Sequence, residues 1–249
     1  MYSNTTLVAI GDSFIYGHYE DDLNYNSCWQ RSWVKKLEKI GNFKTSINMG
    51  APGGCNARSY RMLIKFLEDM YDSKENYLLI YGITDLSRFE LPVLNEDAVK
   101  NEIPICYWSP YDQPMVDYQI FPIGPWTMDQ FRTPKVIDYI KFYYGFFDNA
   151  KYQTDRIIEQ LLSISALLEK YKIKYYYFET GSSLGLLKNN VKLGTVFPEI
   201  EFYFNGDKTL MANFLLDNGY KHSWCKHFNH DANEFLAEYI FDQIKGGEQ

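Results

Sequence analysis

Two patterns of hydrophobic residues, one typical of strands and one typical of helices, alternate along the chain up to about residue 90. Short apolar runs, typical of buried strands, are followed by segments in which apolar residues recur every three or four positions, as on one face of a helix. We predict strands at residues 6–10, 44–48 and 77–81, and helices at residues 28–40 (with Ser27 as the cap) and 57–71. Strands that alternate with helices in this way favour a parallel sheet.

The segment at residues 90–149 interrupts this alternation. It carries seven of the nine prolines and many aromatic residues without a clear period. Long irregular segments in compact domains are usually lids or binding loops. We therefore predict an irregular cap at about residues 90–150, folded over the carboxyl edge of the sheet, with a short helix at 136–147.

Regular structure is predicted to resume after the cap. A helical pattern covers residues 154–171, and a fourth strand is predicted at 174–178. Residues 181–208 are predicted to be irregular, and further helices are expected at 210–216 and 231–245. We expect one α/β domain, residues 1–249, with a parallel sheet of about five strands.

Composition narrows the classes of function. The formal net charge of −7 argues against a nucleic-acid-binding surface, because phosphate contacts need clustered Lys and Arg. Aromatic residues are abundant, with 22 Tyr, 17 Phe and 5 Trp. Their amphipathic rings suit sugar stacking, a protein interface or a core, and composition does not separate these three uses.

Cysteine usage and hydropathy bear on the cellular compartment. The four cysteines, Cys28, Cys55, Cys106 and Cys225, are far apart and form no Cys-x-x-Cys pair, so we expect free thiols. We find neither an apolar stretch long enough to span a membrane nor an amino-terminal signal peptide. We therefore expect synthesis in a cytoplasm, and leave open whether the protein stays there or is built into a particle such as a virion.

Residues suited to acyl transfer lie after or between the predicted strands and helices. Ser13 follows the first strand, a glycine-rich turn at residues 48–54 follows the second, and His227 precedes the last helix. A serine hydroxyl becomes a good nucleophile when a base takes its proton, and unpaired backbone N–H groups can stabilise an oxyanion. Because ligands bind at the carboxyl ends of strands in open α/β sheets, these features predict one catalytic edge.

The order and spacing of these segments resemble the SGNH, or GDSL, hydrolase superfamily of esterases and lipases. The resemblance spans nearly the whole chain apart from the insertion, and it implies a three-layer α/β/α sandwich with a flavodoxin-like parallel sheet. Four blocks carry it: Gly11-Asp12-Ser13-Phe14, Asn48-x-Gly50-x-x-Gly53, Gly82-x-Thr84-Asp85 and His227-Phe228-Asn229.

The resemblance also implies ester hydrolysis through an acyl-enzyme. Ser13 would be the nucleophile and His227 the general base, and the oxyanion hole would use the N–H groups of Ser13 and Gly53 with the Thr84 hydroxyl as a third donor. The substrate would be a small-molecule or glycan ester, for example a carbohydrate O-acetyl group. No metal, organic cofactor, nucleic acid or membrane is implied, and the oligomeric state is left undetermined.

Two departures from the family blocks keep a second class of function open. The family has an asparagine oxyanion donor where this chain has Thr84, and an aspartate before the histidine where this chain has Trp224. Because an indole cannot stabilise an imidazolium, His227 would need another partner. The alternative is a catalytically degenerate module of the same fold that holds a glycan or a protein partner.

Other roles for the same residues also stay open. Ser13 or Asn56 could cap a helix, Asp12 could brace its turn, and the glycines of residues 48–54 could serve only a tight connection with positive φ. Residues 222–231 hold three histidines, a cysteine and an aspartate, which are zinc ligands in other proteins. Their spacing is not that of a common structural zinc site.

Overall fold

The computed structural model describes residues 2–17, 30–94, 118–124, 134–146, 150–180, 211–221 and 227–246. Within these ranges the strands are β1 (Thr5–Ile10), β2 (Thr45–Asn48), β3 (Asn76–Ile83), β4 (Phe89–Leu94), β5 (Tyr118–Ile123) and β6 (Lys174–Glu179). The helices are α1 (Ser13–Tyr16), α2 (Trp33–Ile40), α3 (Asn56–Asp69), α4 (Pro134–Phe146), α5 (Ala150–Lys170), α6 (Met211–Asp217) and α7 (His230–Gly246).

The central sheet is parallel, with the strand order β2-β1-β3-β6. Val8 in β1 is in register with Ile47 on one side and with Leu79 on the other. Because all the strands run the same way, the segments that follow β1, β2 and β3 meet at one edge of the sheet. The predicted parallel sheet is confirmed, with four strands among the described residues where about five were expected.

The alternation of side chains along β1 builds the two outer layers. Leu7 and Ala9 face a cluster formed with α2, α6 and α7, whereas Val8 and Ile10 face a second cluster formed with α3 and α5. All four side chains are fully buried. Burying a Leu, Val or Ile side chain contributes about 1.5–3 kcal/mol, so helices on both faces stabilise the strand. The result is the predicted α/β/α arrangement.

The second helix begins later than its pattern predicts. Residues 28 and 29, like the predicted cap Ser27, lie outside the described residues, and the helix itself begins at Trp33. Ser32 is the actual cap, since its hydroxyl accepts a hydrogen bond from the backbone N–H of Lys35 at 3.3 Å. This bond satisfies one of the unpaired donors at the amino terminus of the helix and fixes its start.

The insertion after β3 is more regular than predicted. Its described parts form an antiparallel pair, β4 with β5, and the helix α4. The expectation of an irregular cap is therefore wrong for these parts. Prolines misled the prediction, because Pro92 and Pro122 lie inside the two strands. A two-stranded ladder has only edge strands, and edge strands tolerate proline. Ile123 and Ile140 form its small buried core.

Candidate active site

Ser13 lies at the carboxyl edge of the sheet, as the first residue of the short helix α1. It is 4% exposed. Two glycines let the ends of β1 and β3 close around Ile15: a Cβ on Gly11 would lie 2.4 Å from Ile15 Cγ1, and one on Gly82 would lie 2.8 Å from it. Gly17, with φ +82°, ends the helix. The nucleophile candidate therefore stands on a tightly packed turn.

The carboxylate of Asp12 braces this turn and is fully buried. Its Oδ1 accepts a hydrogen bond from the Phe14 N–H at 3.0 Å. Its Oδ2 accepts from the hydroxyls of Thr84 at 2.8 Å and Thr180 at 2.9 Å, and from Arg88 Nη1 at 3.0 Å. A buried carboxylate with so many donors is well satisfied, and its role here is to hold the turn.

Thr84 belongs to this bracing network. Its side chain is fully buried, and the single proton of its hydroxyl is donated to Asp12. Asn56 holds the Thr84 backbone on both sides, accepting from its N–H and donating to its carbonyl, each at 3.0 Å. Thr84 has no further hydroxyl proton for an oxyanion in this arrangement, and we leave it out of the oxyanion hole. Asn56, in turn, pairs with Thr84 and does not cap α3, whose cap position is Cys55.

The glycine-rich turn packs directly on the nucleophile turn. Asn48 organises it, because Oδ1 accepts from the Gly50 N–H at 3.0 Å while Nδ2 donates to the Ile15 carbonyl at 2.9 Å. A Cβ on Gly50 would lie 2.5 Å from the backbone nitrogen of Tyr16, so only glycine fits there. The N–H of Ala51 donates to the carbonyl of Gly11 at 3.1 Å. The two turns thus form one unit.

Two backbone N–H groups of this unit are available as donors. Among the residues that the structure describes, neither the Ser13 N–H nor the Gly53 N–H donates a hydrogen bond. Gly53 is partly exposed and has φ +69°, a conformation that favours glycine. Unpaired N–H groups at the carboxyl edge of a sheet can stabilise a developing oxyanion.

His227 lies beside the nucleophile turn. Its ring centroid is 5.3 Å from that of Phe14, the residue after Ser13. Asn229 then caps α7 by accepting the Ala232 N–H at 3.1 Å. The structure therefore brings the histidine block against the serine block, although Ser13 Oγ makes no hydrogen bond to any described residue, His227 included. Such bonds are often long before substrate binds.

The possible zinc ligands at residues 222–231 are described only in part. His222 and Cys225 lie outside the described residues, as does Trp224. Within the described ranges no three His, Cys, Asp or Glu side chains are grouped as metal ligands. Among the predicted free thiols, Cys55 is described, and it is free and buried. Burial raises the pKa of the Cys55 thiol to about 12, so this thiol is no nucleophile.

Sequence reasoning missed Arg88, Thr180 and Trp33. Arg88 and Thr180 hold Asp12, and Trp33 Nε1 donates to the Phe14 carbonyl at 3.0 Å. Each follows a strand or begins a helix at the same edge of the sheet. This position, which the predicted strands and helices already indicated, is the feature by which sequence reasoning could have found them. Their pairing with this turn could be seen only in three dimensions.

A cleft of about 990 Å³ opens beside this site, between α3, β4, α4 and α5. Its wall includes Arg88, which also donates to the carbonyl of Gly54 at 3.2 Å. Ser13, Gly53 and His227 do not line it. The cleft therefore adjoins the nucleophile turn through Arg88 without containing the candidate catalytic groups.

Comparison with known proteins bears on the fold. Searches among protein-family models and among curated proteins gave no match. One solved structure of similar fold is a carbohydrate esterase whose active site displays divergent catalytic and non-catalytic binding functions. Its sequence is 11% identical to this chain, and the TM-score is 0.51. The match covers 98% of this chain and 69% of the esterase chain. A member of the lipolytic protein G-D-S-L family from Veillonella parvula DSM 2008 is 12% identical with a TM-score of 0.46, covering 96% of this chain and 97% of its own.

The acetyl xylan esterase AlAXEase is similar over 96% of this chain and 99% of its own, with 12% identity and a TM-score of 0.42. None of the described helices is long and apolar enough to cross a membrane. The likeness to the carbohydrate esterase and the parallel sheet packed between two helix layers agree with the blocks identified in the sequence. The chain therefore has an SGNH/GDSL hydrolase-like fold.

Proposed function

We propose that this protein is a serine ester hydrolase in which Ser13 is the nucleophile and His227 the general base. The observation that supports the proposal is the contact of the His227 ring with the ring of Phe14, the residue that follows Ser13 in the sequence. The N–H groups of Ser13 and Gly53, which donate to none of the described residues, support it. Together they supply the nucleophile, base and oxyanion donors that acyl transfer needs.

The reaction follows from these roles. His227 takes the proton of Ser13 as Oγ bonds to the ester carbonyl carbon, and the carbonyl oxygen becomes an oxyanion held by the two N–H groups. The intermediate collapses, the C–O bond to the alcohol breaks, and His227 returns the proton to the leaving alkoxide. Water then attacks the acyl-enzyme with the same proton path, which releases the acid and restores Ser13. For the substrate we propose a carbohydrate ester, the class suggested by the carbohydrate esterase of similar fold, with an O-acetyl group as the acyl part, as the sequence resemblance implies.

Hydrolysis of p-nitrophenyl acetate, together with labelling by a fluorophosphonate, tests this function. We expect wild-type protein to release p-nitrophenolate and to carry the label on Ser13, as located by mass spectrometry. Ser13→Ala should abolish both signals, and His227→Ala should lower the rate by about 10²–10⁴. Ser163→Ala removes an exposed serine of α5 and should change neither. A label on another residue, or equal rates in Ser13→Ala and wild type, would refute the proposal.

A non-catalytic binding module with the same fold is the second candidate. Two observations favour it. The Thr84 hydroxyl donates its proton to Asp12, and Ser13 Oγ makes no hydrogen bond to any described residue. This candidate predicts no fluorophosphonate label in folded protein and no saturable turnover of acetylated oligosaccharides. The same labelling experiment therefore distinguishes the two.

A further inference from the structure

The cleft between α3, β4, α4 and α5 carries aromatic surfaces from three different elements. Tyr60 comes from α3, Phe89 from β4 and Tyr143 from α4, and all three are half-buried. Phe89 and Tyr143 pack against each other with ring centroids 3.9 Å apart. Phe89 and Tyr143 thus cover one face of each other, and the three rings add apolar surface to the cleft wall while the tyrosine hydroxyls stay polar.

Polar groups with unused hydrogen-bonding capacity also line the cleft. Gln153 donates through Nε2 to the Tyr143 hydroxyl, and Gln160 donates through Nε2 to the Asn56 carbonyl, each at 2.9 Å. Neither side-chain carbonyl accepts a hydrogen bond from any described residue, and the Tyr60 hydroxyl has no partner among them either. The cleft thus offers acceptors and a hydroxyl beside the aromatic faces, as ligand hydroxyl groups require.

Charge in the cleft is balanced and largely paired. Glu90 is held by both guanidinium nitrogens of Arg61, at 2.5 and 2.9 Å, and Arg88 is paired with Asp12. The two remaining charges, Arg156 and Glu159, have opposite signs and lie exposed on α5. Among the described residues that line the cleft, no excess of either sign remains to attract an anion such as phosphate or a polycation.

We propose that this cleft is a binding site for a neutral oligosaccharide. Aromatic faces take the apolar faces of sugar rings, and the glutamine carbonyls and the Tyr60 hydroxyl take sugar hydroxyls. The proposal goes beyond ester hydrolysis, because neither the aromatic rings nor the glutamines of the cleft take part in the activation of Ser13. It therefore stands whether or not the protein is an enzyme.

Titration of the full-length Ser13→Ala protein with neutral tetrasaccharides tests the site without turnover. The probes are xylotetraose, cellotetraose, maltotetraose and chitotetraose, with inorganic phosphate and polygalacturonate as charged comparisons. Calorimetry should detect binding of at least one neutral tetrasaccharide. Side-chain amide signals of Gln153 and Gln160, assigned by Gln→Leu substitution, should shift on binding.

A pair of tryptophan substitutions on α5 locates the site. Ser163→Trp fills the cleft, whereas Glu169→Trp places the same ring at an exposed position of the same helix that does not line the cleft. In the Ser13→Ala background we expect Ser163→Trp to weaken binding about tenfold or more and Glu169→Trp to leave it unchanged. The proposal is overturned if no neutral tetrasaccharide binds, if only the charged probes bind, or if both tryptophan variants bind equally.

Discussion

Asn233 in α7 accepts a hydrogen bond through Oδ1 from the backbone N–H of Trp33, at 3.2 Å. The indole of Trp33 in turn donates to the carbonyl of Phe14, at 3.0 Å. Asn233 also donates through Nδ2 to the carbonyl of Asn229, at 3.0 Å. These three bonds tie the turn that carries Ser13 to the segment that carries His227.

Asn233→Ala should therefore weaken both folding and catalysis. The substitution leaves a buried backbone N–H without its acceptor, which we expect to lower the free energy of unfolding by about 1–3 kcal/mol. Because the histidine segment loses its anchor, kcat for p-nitrophenyl acetate should fall while KM changes little. Urea unfolding and steady-state kinetics measure the two effects. Asn218→Ala, which removes an asparagine bonded to the Phe214 carbonyl at the end of α6, is the control and should leave kcat unchanged.

Thr84→Val and Thr180→Val test the assignment of Thr84 to the bracing network. Each substitution deletes one hydroxyl bonded to Asp12 Oδ2 at nearly the same distance. We expect similar losses of about 1–3 kcal/mol in the free energy of unfolding and similar, small changes in kcat. If Thr84 were an oxyanion donor, kcat would fall by about 10²–10³ in Thr84→Val alone. Such a difference between the two variants would show that Thr84 is an oxyanion donor, as the asparagine of the family is.

Arg88→Met should be among the most destabilising changes at this edge of the sheet. The Arg88 side chain is 12% exposed and that of Asp12 is 0% exposed, so the substitution leaves a carboxylate buried without its countercharge. We expect a loss of about 3–5 kcal/mol in the free energy of unfolding, measured by urea denaturation. Lys44→Met breaks the exposed pair with Glu75 and should cost about 0–1 kcal/mol. Equal costs would show that Asp12 does not depend on Arg88.

The Cys55 thiol should make stability depend on pH in the alkaline range. Burial raises its pKa from 9.0 to about 12, so the native state keeps a proton that the unfolded chain loses. The stabilisation from this proton is fully present below about pH 9 and is lost as the pH rises towards 12. Urea unfolding at pH 8, 9, 10 and 10.5 should show a steeper decline for wild type than for Cys55→Ala. Parallel pH profiles for the two proteins would contradict the assignment.

Outside the insertion, the hydrophobic pattern by itself predicted the strands of the parallel sheet and the helices that alternate with them. β1, for example, is a short apolar run bounded by turn residues, which is the pattern of a buried strand. The glycine blocks at residues 11 and 50 could also be identified, because they mark places where the backbone approaches another segment too closely for a Cβ. Local sequence was sufficient to find these glycines, although the segments they approach are distant along the chain.

Tertiary structure alone decided which side chains meet. Asp12 has partners from the ends of β3 and β6 and from the segment before β4, and no local pattern encodes pairs so far apart in sequence. The same holds for Thr84, because its hydroxyl donates to the Asp12 carboxylate. A comparison of sequence motifs does not reveal this hydrogen bond. The two strands of the insertion were hidden because their prolines are tolerated only when a strand lies at an edge, and that is a property of the sheet as a whole.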